Sequence, residues 1–236
     1  MISVCLATYN GESFLKEQID SIHCQLSLED EIIVSDDGSS DKTIEILNAY
    51  GDSRIKIYKG PCQNNPALNF ENALAQARGD YIFLSDQDDV WELNKVEVCL
   101  KYLKNYDLVL SDCSIVDRDL QLIYKSFFDH KKIRKGFIAN LVKNNYSGCR
   151  MAFRREILQF ALPFPPKIAM HDMWIGLCAE LFFYPIIIED KLIKYRRHGL
   201  NVSATSEKSL FSLFYKIRYR LYFISQLVKL FFLHKK

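Results

Sequence analysis

Three carboxylates fall within four positions of the run Ser85-Asp86-Gln87-Asp88-Asp89-Val90-Trp91, directly after the apolar Tyr81-Ile82-Phe83-Leu84. Carboxylates this close repel, and each raises the pKa of its neighbours. A cation removes the conflict. Hard oxygen ligands at the end of a buried strand suit Mg²⁺ or Mn²⁺, ions that usually complete their shell with substrate phosphates. The run therefore points to a divalent metal holding a phosphorylated ligand. Asp88 is the first candidate ligand, and Asp86 can take either the metal or a ribose hydroxyl. A polar turn capping the next helix, with Asp89 as N-cap, accounts for the same residues.

Such a cluster has to be positioned by regular elements. The first half alternates strand patterns at residues 2–7, 31–35, 54–58, 81–85 and 108–112 with helix patterns at 12–25, 41–50, 66–78 and 92–104. Phe14, Leu15, Ile19 and Ile22 share one face of the first helix, and the third begins at Pro66 and ends before Gly79. Strands alternating with helices predict an α/β fold, a Rossmann-like mixed, mostly parallel sheet flanked by helices. Ligands of such sheets sit beyond the carboxyl ends of the strands. Thr8-Tyr9-Asn10-Gly11, Asp36-Asp37-Gly38-Ser39-Ser40-Asp41 and Asp86 to Asp89 all fall at those ends. Asp37 closes the second strand, where a carboxylate can accept from a base N–H or a ribose hydroxyl.

The second half is less regular. Residues 136–143 and 171–181 read as helices, and 146–153 as a strand returning to the sheet. Residues 185–188 and 192–196 read as two short strands with Glu189-Asp190 as the turn between them. Pro163-Phe164-Pro165-Pro166 is a stiff loop. Residues 208–236 hold seven Lys or Arg and no acid, and Leu210, Phe214, Ile217, Leu221, Ile224, Val228 and Phe231 recur at helical spacing. Phe211, Tyr219, Tyr222, Phe223 and Phe232 widen that stripe. A basic amphipathic helix of this kind lies on an anionic membrane surface, or packs on its own domain or a second subunit.

Composition narrows the class. The 236 residues are 49% hydrophobic and 25% charged, so a buried core is expected, and a net charge of +2 gives no case for nucleic acid. The seven cysteines are scattered with no C-x-x-C pair, which argues against zinc or redox motifs and for reduced core thiols in a cytosolic compartment. No basic segment followed by an apolar one opens the chain, so no secretory signal is visible. Neither G-x-G-x-x-G nor a P-loop occurs, so phosphate charge must be met by metal and side chains.

With these motifs the chain resembles the family 2 glycosyltransferases. Thr8-Tyr9-Asn10, Asp36 to Asp41 and Asp86-Gln87-Asp88-Asp89 carry the resemblance in order and spacing, over about residues 1–201. The Ser-Asp-Gln-Asp-Asp-Val-Trp form, with Tyr195-Arg196-Arg197-His198-Gly199-Leu200-Asn201, is similar to bacterial rhamnosyltransferase-like members. The resemblance implies the A-type glycosyltransferase fold and an inverting, metal-dependent transfer from a nucleotide-diphosphate sugar. It implies Thr8, Tyr9 and Asn10 in the nucleoside pocket, Asp37 on the base, and Asp86 and Asp88 as the D-x-D with Asp88 on the ion. Asp172 becomes the catalytic base, and His198 and Arg197 close over the diphosphate, His198 with the metal or the phosphate. Where the family has Glu-Asp, this chain has His171-Asp172, and the role of the first residue stays open. Residues 1–205 are then the catalytic domain, divided at residue 112 into donor and acceptor halves, and 206–236 a C-terminal helix.

The chemistry suits these residue types. An inverting transfer needs one base for the acceptor hydroxyl and a Lewis acid for the leaving diphosphate. Asp172, beside apolar Met170, Met173 and Trp174, has the setting of a raised pKa, though a helix-start acid favoured by the dipole fits too. Trp91 and Trp174 are candidate sugar-stacking rings or core, and Phe127, Phe128, His130 and Lys131 an acceptor loop or plain surface. The expected donor is dTDP-rhamnose first, then UDP-galactose or UDP-glucose. The expected acceptor is a polyprenyl-diphosphate-linked glycan at the inner face of a bacterial plasma membrane, with the chain held there peripherally. Two rivals are a sugar-phosphate nucleotidyltransferase, whose glycine- and arginine-rich first loop is missing here, and a nucleotide-sugar-binding module without catalysis.

Overall fold

The structure, a computed structural model, describes residues 1–168, 170–198 and 212–233. Of the sequence expectations, Gly199-Leu200-Asn201, Lys208, Leu210, Phe211 and the last three residues lie outside the described residues.

The alternation expected of the first half is present. Strands β1 (Ile2–Thr8), β2 (Glu31–Asp36), β3 (Ile55–Lys59) and β4 (Tyr81–Asp86) are joined by helices α1 (Leu15–His23), α2 (Thr43–Ala49) and α3 (Pro66–Gln76). Helix α3 starts where Asn65 accepts from the amides of Ala67 and Leu68, with Pro66 in the first turn. A two-residue strand β5 (Val90–Trp91) precedes α4 (Lys95–Leu103), whose N-cap position is Asn94; Asp89 therefore lies outside the cap.

The rest of the chain adds β6 (Leu108–Val116), β7 (Leu122–Tyr124), the short helices α5 (Phe127–His130) and α6 (Phe137–Val142), and β8 (Met151–Arg154). Next come α7 (Leu158–Ala161), α8 (His171–Phe182), β9 (Pro185–Arg196) and α9 (Leu213–Leu233). Only the end of the strand expected at 146–153 is strand, because residues 148–150 form a 3₁₀ turn. The two strands expected at 185–196 are one. Between Leu110↔Ile187 and Asp112↔Lys191 the register shifts, so β9 bulges at Glu189-Asp190 instead of turning.

The sheet runs β3-β2-β1-β4-β8-β6-β9-β5, with β7 beside β6. β1 pairs parallel with β2 and β4, β2 with β3, and β6 with β9, while β8 runs antiparallel between β4 and β6. Strands β1, β2, β3, β4, β6 and β9 therefore share a direction, and the sheet is mixed and mostly parallel as expected. Thr8, Asp36, Asp86 and Arg196 end their strands at one edge. Along β1 the side chains alternate, Cys5 into one apolar layer and Val4 and Leu6 into the other. The seven cysteines are free, five of them buried.

Helix α9 docks through Phe223 and Leu227, both buried, with Phe223 6.0 Å from Trp174 ring to ring. Tyr222 Oη donates to Pro166 O at 2.6 Å, and the Arg220 guanidinium donates to Leu141 O at 2.8 Å and Val142 O at 2.6 Å. Of the aromatics expected to widen the stripe, Tyr219, Tyr222 and Phe223 thus face the core and Phe232 is exposed, as are the stripe residues Phe214, Ile217, Leu221, Ile224 and Val228. Both faces of the helix are apolar, and the cleft beside Trp174 takes the bulkier one.

Candidate active site

At the end of β1 the chain turns sharply. Asn10 adopts φ 49°, a left-handed conformation that asparagine tolerates. Its Oδ1 accepts from Ser40 N at 2.8 Å, and its own amide donates to Ser39 Oγ at 2.8 Å, which ties the β1 and β2 loops together. The buried Thr8 hydroxyl donates to Asp36 Oδ2 at 2.9 Å, whereas Tyr9 is 44% exposed. Gln87, from the middle of the acidic run, clamps Tyr9: Tyr9 N donates to its Oε1 at 2.9 Å and its Nε2 donates to Tyr9 O at 3.0 Å. A Cβ on Gly11 would sit 2.5 Å from Gln87 Oε1, so a side chain there would push the Gln87 amide away from Tyr9. Asp37 accepts from Gln63 N and Asn65 N, both at 3.2 Å, bracing the loop before α3 and leaving each oxygen a further lone pair.

The acidic run sits at the end of β4. Burial, then the charges of Asp88 and Asp172, pushes Asp86 up to about 7. Asp89 is fully buried and held well above the carboxylate range by burial and by Asp88 and Asp86. Its Oδ1 accepts from Arg196 N at 3.0 Å, and its buried Oδ2 has no hydrogen-bond partner among the described residues. Potential ligand atoms of Asp86, Asp89 and Cys149 lie within 4.8 Å of one another, but burial keeps the Cys149 thiol protonated, and a soft sulfur does not suit a hard ion. Lys95 lies behind the cluster, fully buried, donating to Cys149 O at 2.7 Å and stacked 3.9 Å from the Trp91 ring centroid. Burial lowers its ammonium to about 8.

The far end of the sheet completes the cluster. Arg196 Nε donates to Asp88 O at 2.9 Å, and its other nitrogens reach Arg118 O and the Glu17 carboxylate. His198 Nε2 stands 2.8 Å from Asp88 Oδ2, its ring stacked on Phe14 at 4.6 Å. Crowded carboxyls, the orphaned Asp89 Oδ2 and a hard oxygen–imidazole donor set around Asp86, Asp88 and His198 fit a Mg²⁺ or Mn²⁺ ion.

Opposite stands the start of α8. Burial pushes Asp172 up to about 6, against the Met173 amide, which donates to Oδ1 at 2.6 Å, and the nearby Arg150 charge. Arg150 is itself buried, donating to Asn145 O at 2.7 Å and lying 4.4 Å from the Phe127 ring centroid. His171 stacks on Phe70 at 4.3 Å, and burial lowers its imidazole to about 3, so it stays neutral. Its Nε2 is buried with no hydrogen-bond partner among the described residues, and a Cβ on Gly148 would stand 3.0 Å from that nitrogen. The residue before the candidate base is therefore a packed neutral ring and not a second acid.

At two places the structure decides between readings the sequence left open. Trp91 and Trp174 are both buried core rings, Trp174 Nε1 donating to Ala161 O at 2.9 Å, so neither presents a face to a sugar. Phe127 to His130 form a helical turn pinned to β6, where Asp112 accepts from Ser126 Oγ and from Phe128 N, and Phe127 is buried. Lys95, Arg150, Arg196, Gln87 and Asp89 went unassigned or misassigned in the sequence. A lysine in the apolar sector of a helix that also holds Val96 and Cys99 was a usable signal for Lys95.

Residues 3–160 match the family described as glycosyl transferase family 2. An uncharacterized glycosyltransferase of Haemophilus influenzae is 30% identical over 216 residues, covering 88% of this chain and 83% of that protein. WfgD of Escherichia coli, a UDP-Glc:α-D-GlcNAc-diphosphoundecaprenol β-1,3-glucosyltransferase, is 27% identical over 89% of this chain and 82% of its own length. Among solved structures, Staphylococcus aureus TarS 1–349 superposes with a TM-score of 0.68 at 21% identity, with 83% of this chain covering 60% of that one. Its complex with UDP-GlcNAc gives 0.70 at 18%, with 95% of this chain covering 72%. The Pyrobaculum calidifontis mannosyltransferase with GDP-Man and Mn²⁺ gives 0.64 at 19%, with 86% of this chain covering 58%. These likenesses establish the A-type glycosyltransferase fold. The chain belongs to glycosyl transferase family 2 and is a nucleotide-sugar glycosyltransferase.

Proposed function

We propose that this enzyme transfers a hexosyl unit, with inversion, from a UDP- or dTDP-sugar to a lipid-linked glycan acceptor at the inner face of a bacterial membrane. One observation carries the reading. A Cβ on Gly148 would stand 3.0 Å from His171 Nε2 and 3.7 Å from Leu84 Cδ1, so the start of α8 lies beside the end of β4, and Asp172, next in the chain, adds its charge to the rise of the Asp86 carboxyl. Asp172 takes the proton of the acceptor hydroxyl as that oxygen bonds to the anomeric carbon, and the bond from that carbon to the diphosphate oxygen breaks. Asp86 and Asp88, with His198 beside them, would hold Mn²⁺ or Mg²⁺, which when bound supplies Lewis-acid charge to the leaving diphosphate. Tyr9, Asn10 and Asp37 flank the nucleoside, and Thr8 holds their loop through Asp36.

The donor and acceptor that WfgD's name states support a UDP-hexose and a polyprenyl diphosphate; dTDP-rhamnose, ranked first from the sequence, is the competitor. A panel of nucleotide sugars with Mn²⁺, scored by release of nucleoside diphosphate, decides between them. Asp172→Asn should abolish transfer and leave donor affinity within about twofold; unchanged turnover refutes the role.

A further inference from the structure

Helix α6 and the outer side of α9 form one surface. Arg220 of α9 donates to the last carbonyls of α6, Leu141 O and Val142 O, so the two helices abut. On α9 the exposed Phe214, Ile217, Leu221, Ile224 and Val228 make a stripe of about 21 Å at 1.5 Å per residue. On α6, Ile138 is 69% and Val142 64% exposed. Beside them opens a cleft of about 860 Å³ with Lys132, Arg134, Lys135 and Lys143 on its rim. Lys131 adjoins it, and burial with the charges of Lys143 and Arg197 holds its ammonium below the ordinary value.

No acid occurs between residues 130 and 155 or after residue 207, although the whole chain carries only +2. Apolar side chains ringed by cations, from two stretches of sequence that hold no acid, complement an anionic lipid surface. A second copy of the chain would set these cations against each other. No helix among the described residues is long and apolar enough to cross a membrane, so a bilayer would be met from one side. Helix α9 also packs on α8, with Phe223 6.0 Å from Trp174 ring to ring, two residues beyond Asp172.

We propose that α6 and the outer face of α9 together seat the enzyme on an anionic phospholipid bilayer, with a lipid phosphate group in the Lys132–Lys143 cleft. The purpose of this seating rests on the lipid-linked acceptor; vesicle binding and donor turnover are read separately, so either can fail alone. The full chain is sedimented with phosphatidylcholine vesicles, with or without phosphatidylglycerol. The wild type should bind only the anionic vesicles and release at high salt. Lys135→Gln with Lys143→Gln should weaken partitioning about fivefold per cation, ~1 kcal/mol each. Leu221→Glu should weaken it at least as much. All these side chains are exposed, and near-ultraviolet circular dichroism checks that each variant is folded. Binding that ignores the α6 substitutions overturns the joint surface. Absence of vesicle binding, with a dimer that Leu221→Glu dissociates, overturns the bilayer and assigns the face to a second copy.

Discussion

His198 Nε2 lies 2.8 Å from Asp88 Oδ2, linking the chain just beyond β9 to the acidic turn beyond β4. Phe14 supports the contact, stacking on His198 at 4.6 Å and lying under the Arg196 guanidinium at 4.7 Å. On the proposed reading, an imidazole placed there either binds the ion or fixes the carboxylate that would hold it. His198→Gln should weaken Mn²⁺ binding about 10- to 100-fold with the fold intact. Calorimetric titration of Mn²⁺ in the presence of UDP measures this, and an unchanged affinity removes His198 from the metal site.

As the proposed base, Asp172 would act only when ionised, and burial raises it to about 6. Below that pH kcat/KM should fall about tenfold per unit, and above it the profile should level off. The limb near pH 6 should vanish in the residual activity of Asp172→Asn. A profile that is flat from pH 5 to 8 in the wild type contradicts the assignment.

The same carboxyls make stability depend on pH. Asp86 and Asp172 bind protons more tightly in the folded chain, at about 7 and about 6, than at their ordinary 3.8. Between roughly pH 4 and 7 these two carboxyls hold protons that the unfolded chain has lost, which outweighs the one proton that neutral His171 forgoes over the same range, so stability falls as pH rises. Thermal melts in EDTA should show that decline. Added Mn²⁺ should raise Tm near pH 7.5, where the carboxylates are ionised, and have little effect near pH 5.

Helix α9 is held by a few buried contacts. Phe223→Ala removes a fully buried ring beside Trp174 and should cost about 3–5 kcal/mol in urea unfolding. Leu221→Ala, on the exposed face, should cost less than about 0.5 kcal/mol. Equal losses would mean that α9 docks by another face.

Sequence reading reached the strand ends and the three polar clusters because alternation and turn residues are local signals. It did not reach Lys95 or Arg150, since a buried charge and a solvated one look alike in a string of letters. The reversal of β8 was hidden for a similar reason: periodicity marks a strand but not its direction. In α9 both faces carry large apolar residues, so spacing could not decide which docks. Asp89 looked like a helix cap, and the intervening β5 moved the cap to Asn94.

The grip of the acidic turn on a divalent ion and a sugar nucleotide is most directly tested by calorimetry of UDP-glucose binding with and without Mn²⁺. The wild type should bind tightly only with the metal, and Asp88→Ala should lose about 100-fold or more in the metal-dependent affinity. Equal affinity in EDTA and in Mn²⁺, or an Asp88→Ala isotherm matching the wild type, would contradict it.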